Sequence, residues 1–172
     1  MTEEHGIAVV GAGYWGPNLI RNFAKAPGWD LRWVCDLDTD RARGVLGRRS
    51  TVGVTDTFAD VLYDPDVHAV AIATPPRTHA PLAIEAMDAG KHVLVEKPLA
   101  SSAAEGEKMV AVAEDRRVVL MCDHTYCYTP VVRHLRDMVA AGGIGEIQYI
   151  DSVRINLGLV QSDADVFWDL AP

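Results

Sequence analysis

Three glycines near the start of the chain have the spacing that holds a dinucleotide. Gly11, Gly13 and Gly16 form a G-x-G-x-x-G sequence between an apolar run and an amphipathic segment. The first glycine permits a tight turn, the second lets backbone approach a pyrophosphate, and the third lets helix and strand pack closely. The phosphates then meet the free N–H groups at the start of the helix. We therefore predict a dinucleotide site here, with Tyr14 and Trp15 among its binding residues.

An aspartate follows at the end of the second predicted strand. Asp36 can accept hydrogen bonds from both hydroxyls of a ribose, and its negative charge repels a 2′-phosphate. Both properties favour NAD over NADP as the cofactor. Arg41 is close enough in the sequence to offset part of that repulsion. A glycine turn without a ligand, followed by an ordinary helix-capping aspartate, is the alternative interpretation.

Cysteine and histidine side chains suggest two other kinds of site. Cys122, His124 and Cys127 are neighbours in the sequence, but no fourth ligand is evident, and we predict no metal site. The chain has 3 cysteines, an odd number without framework spacing, so we expect no disulfide scaffold. His124 could instead face the cleft and contact a substrate, the alternative being a structural role.

Strands and helices alternate along most of the chain and would position these residues. Apolar runs predict strands at residues 6–10, 31–35, 67–73, 92–95 and 118–122. Helical periodicity predicts helices at residues 14–26, 39–47, 81–89, about 101–115 and 130–141. This alternation predicts an α/β fold, a Rossmann doubly wound parallel sheet with helices on both faces.

The pattern changes after Pro130, which suggests a second unit. Residues 146–157 alternate between apolar and polar side chains, as in a strand with one exposed face. We therefore expect an NAD-binding Rossmann domain over residues 1–123. Residues 124–172 would begin a C-terminal α+β domain for substrate binding and oligomerisation, truncated in this chain.

Composition and charge limit the partners of the protein. Hydrophobic residues make up 49% of the chain, and 16 Lys and Arg against 24 Asp and Glu give a net charge of -8, which argues against nucleic-acid binding. No apolar stretch approaches the roughly 20 residues that span a bilayer. The polar, acidic start of the chain is unlike a signal peptide. We expect no membrane partner and a cytoplasmic location.

Three further motifs make the sequence similar to a known family. They are Ala73-Thr74-Pro75-Pro76 with Thr78-His79, then Ala89-Gly90-Lys91-His92-Val93, and Glu96-Lys97-Pro98. Together with the glycine turn they resemble the glucose-fructose oxidoreductase / inositol dehydrogenase / rhizopine catabolism (Gfo/Idh/MocA) family. Residues 13–18, 154–158 and 168–172 resemble its branch that oxidises the C3 hydroxyl of UDP-N-acetyl-hexosamines or their uronic acids.

The resemblance implies cofactor contacts for the matching residues. Thr74 and Pro75 would pass beneath the cofactor, while Glu96 and Lys97 would lie near the nicotinamide. His79, at a helix start in the same motif, is expected among the cofactor-binding residues, with capping or packing as the alternative.

The resemblance also makes Lys97 the catalytic residue, hydrogen-bonded to the reacting hydroxyl or carbonyl. This role is chemically reasonable, because hydride leaves a carbinol only as its hydroxyl proton is removed, and an ammonium stabilises the developing alkoxide. A cis Lys97-Pro98 peptide bond would fix the direction of the lysine.

Several later residues are candidates for substrate binding, together with Lys97. Arg154 and Asn156 alternate with apolar neighbours, so one could bind a uronate or diphosphate and the other a sugar hydroxyl. A solvated sheet face is the alternative. His124 and Trp168 complete the predicted set.

One family residue is absent from the sequence. In the C3-oxidising branch a histidine follows the Ala-Pro pair, whereas this chain ends at Pro172. We therefore expect a longer polypeptide, a homo-oligomer at full length.

The sequence as a whole predicts an NAD-dependent oxidoreductase. It would transfer hydride between a sugar or nucleotide-sugar hydroxyl and nicotinamide. The alternatives are a polyol or inositol dehydrogenase, and a non-catalytic dinucleotide-binding fragment or sensor.

Overall fold

Six parallel strands form the centre of the computed structural model, which describes residues 4–47, 50–153 and 168. The strands are β1 (His5–Val10), β2 (Trp29–Cys35), β3 (Gly53–Thr55), β4 (Val67–Ile72), β5 (His92–Glu96) and β6 (Leu120–Asp123). Their order across the sheet is β3-β2-β1-β4-β5-β6. The strand order therefore reverses between β1 and β4, as in a Rossmann fold.

Helices connect the strands and cover the sheet. They are α1 (Gly16–Phe23), α2 (Thr39–Leu46), α3 (Phe58–Tyr63), α4 (His79–Asp88), α5 (Ala103–Arg116) and α6 (Pro130–Ala140). Two short 3-10 turns, Pro76–Thr78 and Thr125–Tyr128, precede α4 and α6. The predicted α/β class and doubly wound parallel sheet are confirmed. Among the described residues, no helix has the length and apolar character needed to cross a membrane.

Two hydrophobic clusters lie on opposite faces of the sheet, and β1 contributes to both. Ile7 and Val9 pack on one face with residues of α1 and α2, and Ala8 and Val10 pack on the other with residues of α3, α4 and α5. All four side chains are at most 4% exposed. This double burial explains why the strand is a continuous apolar run rather than an alternating one.

The first half of the chain contains one strand and one helix that sequence periodicity does not predict. Strand β3 has only three residues and pairs only with β2 in the described sheet, and α3 has six. Both are too short to complete a recognisable hydrophobic period.

The strand predicted at residues 146–157 is not seen where the structure describes it. Residues 146–153 adopt no regular secondary structure and are exposed. A strand needs a neighbour to satisfy its backbone hydrogen bonds, and no described strand pairs with this segment. Residues 154–157 lie outside the described part of the chain. The domain boundary after residue 123 stays a prediction.

Candidate functional site

The carboxyl ends of the strands bring most of the predicted site residues to one edge of the sheet. The glycine turn follows β1, Asp36 follows β2, Thr74 follows β4, Glu96 ends β5 and His124 follows β6. In open parallel sheets, ligands bind at this edge, where the strand order reverses. Here that point lies between β1 and β4.

The three glycines of the turn differ in the space available for a side chain. Gly11 has a φ of 97°, and a Cβ placed on it would lie 2.7 Å from the carbonyl oxygen of Ala73. A Cβ on Gly16 would collide with the carbonyl oxygen of Gly11. A Cβ on Gly13 would meet nothing within 4 Å. Gly11 and Gly16 thus pack the turn against its own backbone, whereas Gly13 leaves its backbone open to a ligand.

Helix α1 begins at the end of this turn, at Gly16. Trp15 occupies the N-cap without a side-chain capping bond, Pro17 lies in the first turn, and that turn contains no acidic residue. The positive end of the helix dipole is therefore neither capped nor neutralised within α1. Together with the open face of Gly13, this arrangement fits a pyrophosphate.

Asp36 is held against the glycine turn by backbone hydrogen bonds. Its Oδ2 accepts from the amide of Ala12 at 2.6 Å and its Oδ1 from the amide of Asp38 at 2.8 Å. The Arg41 guanidinium lies 3.8 Å from Oδ1. The carboxylate thus stands where the ribose beside a pyrophosphate would lie, with the cation anticipated from the sequence beside it.

The capping role that competed with ribose binding belongs to a different aspartate. Asp38 is the N-cap of α2, and its side chain accepts from the amide of Arg41 at 3.0 Å. This hydrogen bond is the main reason that the pKa of Asp38 is lowered, with the charge of Arg41 adding to it. Asp36 is therefore free of helix capping.

Two aromatic side chains lie beside the open glycine. Tyr14 is 82% exposed and Trp15 is 40% exposed. Their rings are 6.5 Å apart between centroids and are tilted by 34°. Both present apolar surface at the mouth of the turn, as expected for residues that border a bound ligand.

His79 connects two of the loops that border the site. It is 1% exposed, and its ring nitrogens lie 2.8 Å from the carbonyl oxygens of Thr74 and Pro98. In the same loop, Thr78 Oγ1 lies 2.7 Å from both Thr74 Oγ1 and the carbonyl oxygen of Pro75. His79 thus connects the loop after β4 to the segment after β5. Its predicted contact with the cofactor stays a prediction.

Lys97 follows β5 at the edge of the site. It is partly buried, and its amide donates to Oε2 of Glu96 at 3.3 Å. The Lys97-Pro98 peptide bond is cis, as the family resemblance implied. The loop containing Thr74 and Pro75 is joined to this segment through His79.

The acidic neighbour of the buried Glu96 was missed in the sequence. Glu96 and Asp123 are paired residues at the ends of β5 and β6. Burial, and after it the charge and hydrogen bonding of Asp123, raises the pKa of Glu96 to about 8. The signal that could have found this pair is the position of both acids at the ends of consecutive parallel strands, which share an edge.

The predicted substrate ligands are only partly described. His124 is exposed after β6, and Trp168 is 41% exposed. Arg154 and Asn156 lie outside the described residues. Within residues 4–47, 50–153 and 168, no three His, Cys, Asp or Glu side chains are grouped to hold a metal ion.

Comparisons with known proteins agree with this geometry. Residues 5–124 match the model of a family described as an oxidoreductase family with an NAD-binding Rossmann fold. The crystal structure of GenD2 from gentamicin A biosynthesis, in complex with NAD, is 36% identical with a TM-score of 0.78, covering 83% of this chain and 41% of that one.

Two curated relatives act on sugars or cyclic polyols, according to their names. Inositol 2-dehydrogenase of Rubrobacter xylanophilus is 38% identical over 84% of this chain and 42% of that protein. The dTDP-3,4-didehydro-2,6-dideoxy-alpha-D-glucose 3-reductase of Streptomyces violaceoruber is 32% identical over 78% of this chain and 39% of that protein. The chain therefore spans less than half the length of these two relatives.

Proposed function

The chain belongs to the Gfo/Idh/MocA oxidoreductase family, and from this membership we propose that its NAD-binding domain serves a sugar dehydrogenase or ketoreductase. Hydride would pass between a sugar or nucleotide-sugar hydroxyl carbon and nicotinamide. The observation that carries the proposal is that an open glycine turn, the carboxylate of Asp36 and Lys97 lie at one edge of the sheet.

The residues that follow β1 and β2 bind the adenosine side of the cofactor. The open backbone at Gly13 and the positive end of α1 hold the pyrophosphate, while Asp36 accepts the ribose hydroxyls. Arg41 neutralises part of the charge of Asp36, so discrimination against NADP is reduced rather than complete.

The residues that follow β4 and β5 contact the nicotinamide side of the cofactor. Thr74 and Pro75 form the floor under the ring, and Tyr14 and Trp15 border it from the glycine turn. When bound, the cofactor supplies the hydride acceptor or donor. Lys97 holds the substrate oxygen by a hydrogen bond and stabilises the negative charge that develops on it. His124 and Trp168 lie further along the chain, where Arg154 and Asn156 would join them at the sugar.

The finer proposal is a nucleotide sugar oxidised or reduced at C3. The likeness to a dTDP-sugar 3-reductase supports it. A polyol or inositol substrate is the second candidate, favoured by the higher identity to an inositol 2-dehydrogenase. At full length we expect a homo-oligomer.

Cofactor binding is tested by calorimetric titration of the chain with NAD⁺ and NADP⁺. We expect NAD⁺ to bind more tightly. The Asp36→Ala variant should lose about tenfold in NAD⁺ affinity, since it removes a charged acceptor worth roughly 1.5 kcal/mol, and should bind NADP⁺ at least as well as before. Asp40→Ala, on the exposed face of α2, is the matched control. No heat with NAD⁺ would overturn the proposal.

The sugar chemistry is tested on the polypeptide as its gene encodes it. NADH absorbance would be followed with UDP-sugars, dTDP-sugars and inositols as substrates. Lys97→Met should lower kcat by at least about a hundredfold while NAD⁺ still binds, because the developing charge loses its partner. Lys108→Met, on the exposed face of α5, should have no effect. Equal activity of the Lys97 variant and the wild type would contradict the role of Lys97.

A further inference from the structure

Two acidic side chains meet at the ends of neighbouring strands in the half of the sheet formed by β4, β5 and β6. Glu96 is the last residue of β5, Asp123 is the last residue of β6, and the two are register partners. Glu96 is 8% exposed although it lies at the binding edge. We refer to these two residues as the acid pair.

The hydrogen bonding of Glu96 is incomplete when both acids are ionised. Its Oε2 accepts from the amide of Lys97 at 3.3 Å. Its Oε1 is buried, and no N–H or O–H group of the described residues donates to it. A buried oxygen without a partner costs about 1–3 kcal/mol. One proton held between the two carboxyl groups would supply the missing bond, because a protonated carboxyl donates to a carboxylate.

The surroundings of the acid pair favour that proton. Burial and the neighbouring Asp123 raise the pKa of Glu96 to about 8, whereas Lys97 opposes them. On β6, the Cys122 thiol is neutral at physiological pH because burial and the two acids raise its pKa to about 11. The ring of His79 lies behind the same segment, 2.8 Å from the carbonyl oxygen of Pro98.

The direction of a bound dinucleotide places its nicotinamide half on this side of the sheet. Asp36 at the end of β2 marks the adenosine ribose, and the turn after β1 marks the pyrophosphate. The remaining half of the molecule must then extend over β4, β5 and β6, where the acid pair lies. This step rests on the proposed function, since it assumes that Asp36 and the turn hold the cofactor.

We propose that the acid pair holds one proton in the cofactor-free protein and releases it to solvent when NAD⁺ binds. The oxidised nicotinamide ring carries a positive charge and the reduced ring carries none. Loss of the proton leaves two carboxylates beside the positive ring, so the charge gained with the cofactor is balanced by the charge lost with the proton. NADH provides no such compensation, and the pair keeps its proton. Glu96 and Asp123 thereby distinguish the oxidised from the reduced cofactor.

The proton itself is tested on the chain without cofactor. Side-chain carboxyl groups labelled with ¹³C would be titrated by NMR in the wild type, Glu96→Gln, Asp123→Asn and the exposed control Glu107→Gln. We expect one carboxyl resonance to titrate near pH 8, to vanish in Glu96→Gln, to shift to lower pH in Asp123→Asn, and to stay in the control. Titration of every carboxyl group below about pH 6 would overturn the proposal.

Proton release is tested by calorimetry at about pH 7 in phosphate and in Tris, whose ionisation enthalpies differ. We expect close to one proton released per NAD⁺, markedly fewer per NADH, and none in Glu96→Gln. Linkage then requires NAD⁺ affinity to rise about tenfold per pH unit below pH 8 while NADH affinity stays flat.

The outcomes separate this inference from the proposed function. Binding of NAD⁺ without proton release, or equal release with NADH, overturns the role of the acid pair and leaves the NAD site intact. Absence of NAD⁺ binding overturns both.

Discussion

Two buried ionisable side chains lie at opposite edges of the same sheet and have opposite hydrogen-bonding states. Lys91, before β5 at the amino edge, donates its ammonium to the carbonyl oxygens of Asp64 at 2.9 Å and Val67 at 2.7 Å. Glu96, at the carboxyl end of the same strand, has a carboxyl oxygen with no partner. Both residues are 8% exposed. At equal burial, the Lys91 ammonium is hydrogen-bonded at one edge, whereas a Glu96 carboxyl oxygen lacks a donor at the other.

The amino edge has compensated its buried charges by further contacts. Burial alone would raise the pKa of Asp64, but the hydrogen bonds from Trp33 and Asp66 and the charge of Arg32 outweigh it, and the pKa is lowered. At the carboxyl edge, the hydrogen bond and charge of Lys97 do not outweigh burial and Asp123. Arg32 Nε at the amino edge is also buried without a hydrogen bond, but an opposite charge on Asp64 lies 3.6 Å from it, whereas the neighbour of Glu96 is another acid. The two edges therefore differ in whether a buried ionisable group has a partner of opposite charge.

The largest expected effect is at the amino edge, where Gly6→Ala should cost about 3 kcal/mol of unfolding free energy. The added Cβ would collide with the backbone oxygen of Asp66, which cannot rotate away, and lie 2.8 Å from Arg32 Cδ. Urea denaturation measures the loss. Gly44→Ala, whose Cβ meets nothing within 4 Å, is the control and should not destabilise. Wild-type stability of the Gly6 variant would show that the amino edge accommodates the added methyl group.

The pH dependence of stability should differ between wild type and Glu96→Gln. Because the folded pKa of Glu96 is raised from 4.5 to about 8, the folded chain keeps a proton that the unfolded chain releases between these values. Wild-type stability therefore falls as pH rises through this window. Glutamine is uncharged and lacks this slope. Parallel stability curves from chemical denaturation at several pH values would contradict the buried acid.

Lys91→Met should lower the unfolding free energy by about 2 kcal/mol without changing NAD⁺ affinity. The variant keeps the apolar stem but removes the donor to the carbonyl oxygens of Asp64 and Val67. Thermal or urea unfolding measures the loss, and Lys108→Met on the exposed face of α5 serves as the control. A loss of cofactor affinity with intact stability would contradict the structural role of Lys91.

Gly13→Ala should show the reverse behaviour, with affinity lost and stability kept. Its Cβ enters open space, so the unfolding free energy should change by less than about 0.5 kcal/mol. The same methyl group blocks the approach of a pyrophosphate, and NAD⁺ affinity should fall about tenfold, or roughly 1.4 kcal/mol. Calorimetric titration beside urea denaturation separates the two effects. Unchanged affinity would show that no ligand approaches this backbone.

Sequence reasoning identified the binding edge because its signals are local. The three glycines and Asp36 lie within 26 consecutive residues, and each is constrained by its own strand end. The continuous apolar run of β1 likewise predicted a strand buried on both faces. Strand periodicity therefore recovered the doubly wound class, and local turn chemistry predicts where the cofactor binds.

Contacts between distant residues could not be predicted in the same way. The bonds from His79 to Thr74 and Pro98 depend on how two loops pack together. The sequence places Glu96 and Asp123 near the ends of two strands, but their direct pairing depends on the register between β5 and β6. The strand expected at residues 146–157 is wrong over its described part for a related reason. Alternation of apolar and polar residues indicates which side chains would share a face, but it does not identify a neighbouring strand.

The backbone grip on Asp36 has an entropic consequence for ligand binding. Two amides, those of Ala12 and Asp38, already fix both carboxylate oxygens. The rotamer is therefore selected during folding, and a ribose that docks against it immobilises no further side chain there, a saving of about 0.5–1.5 kcal/mol per residue at binding interfaces. The proposed ribose end of the cleft is thus preorganised before the dinucleotide binds.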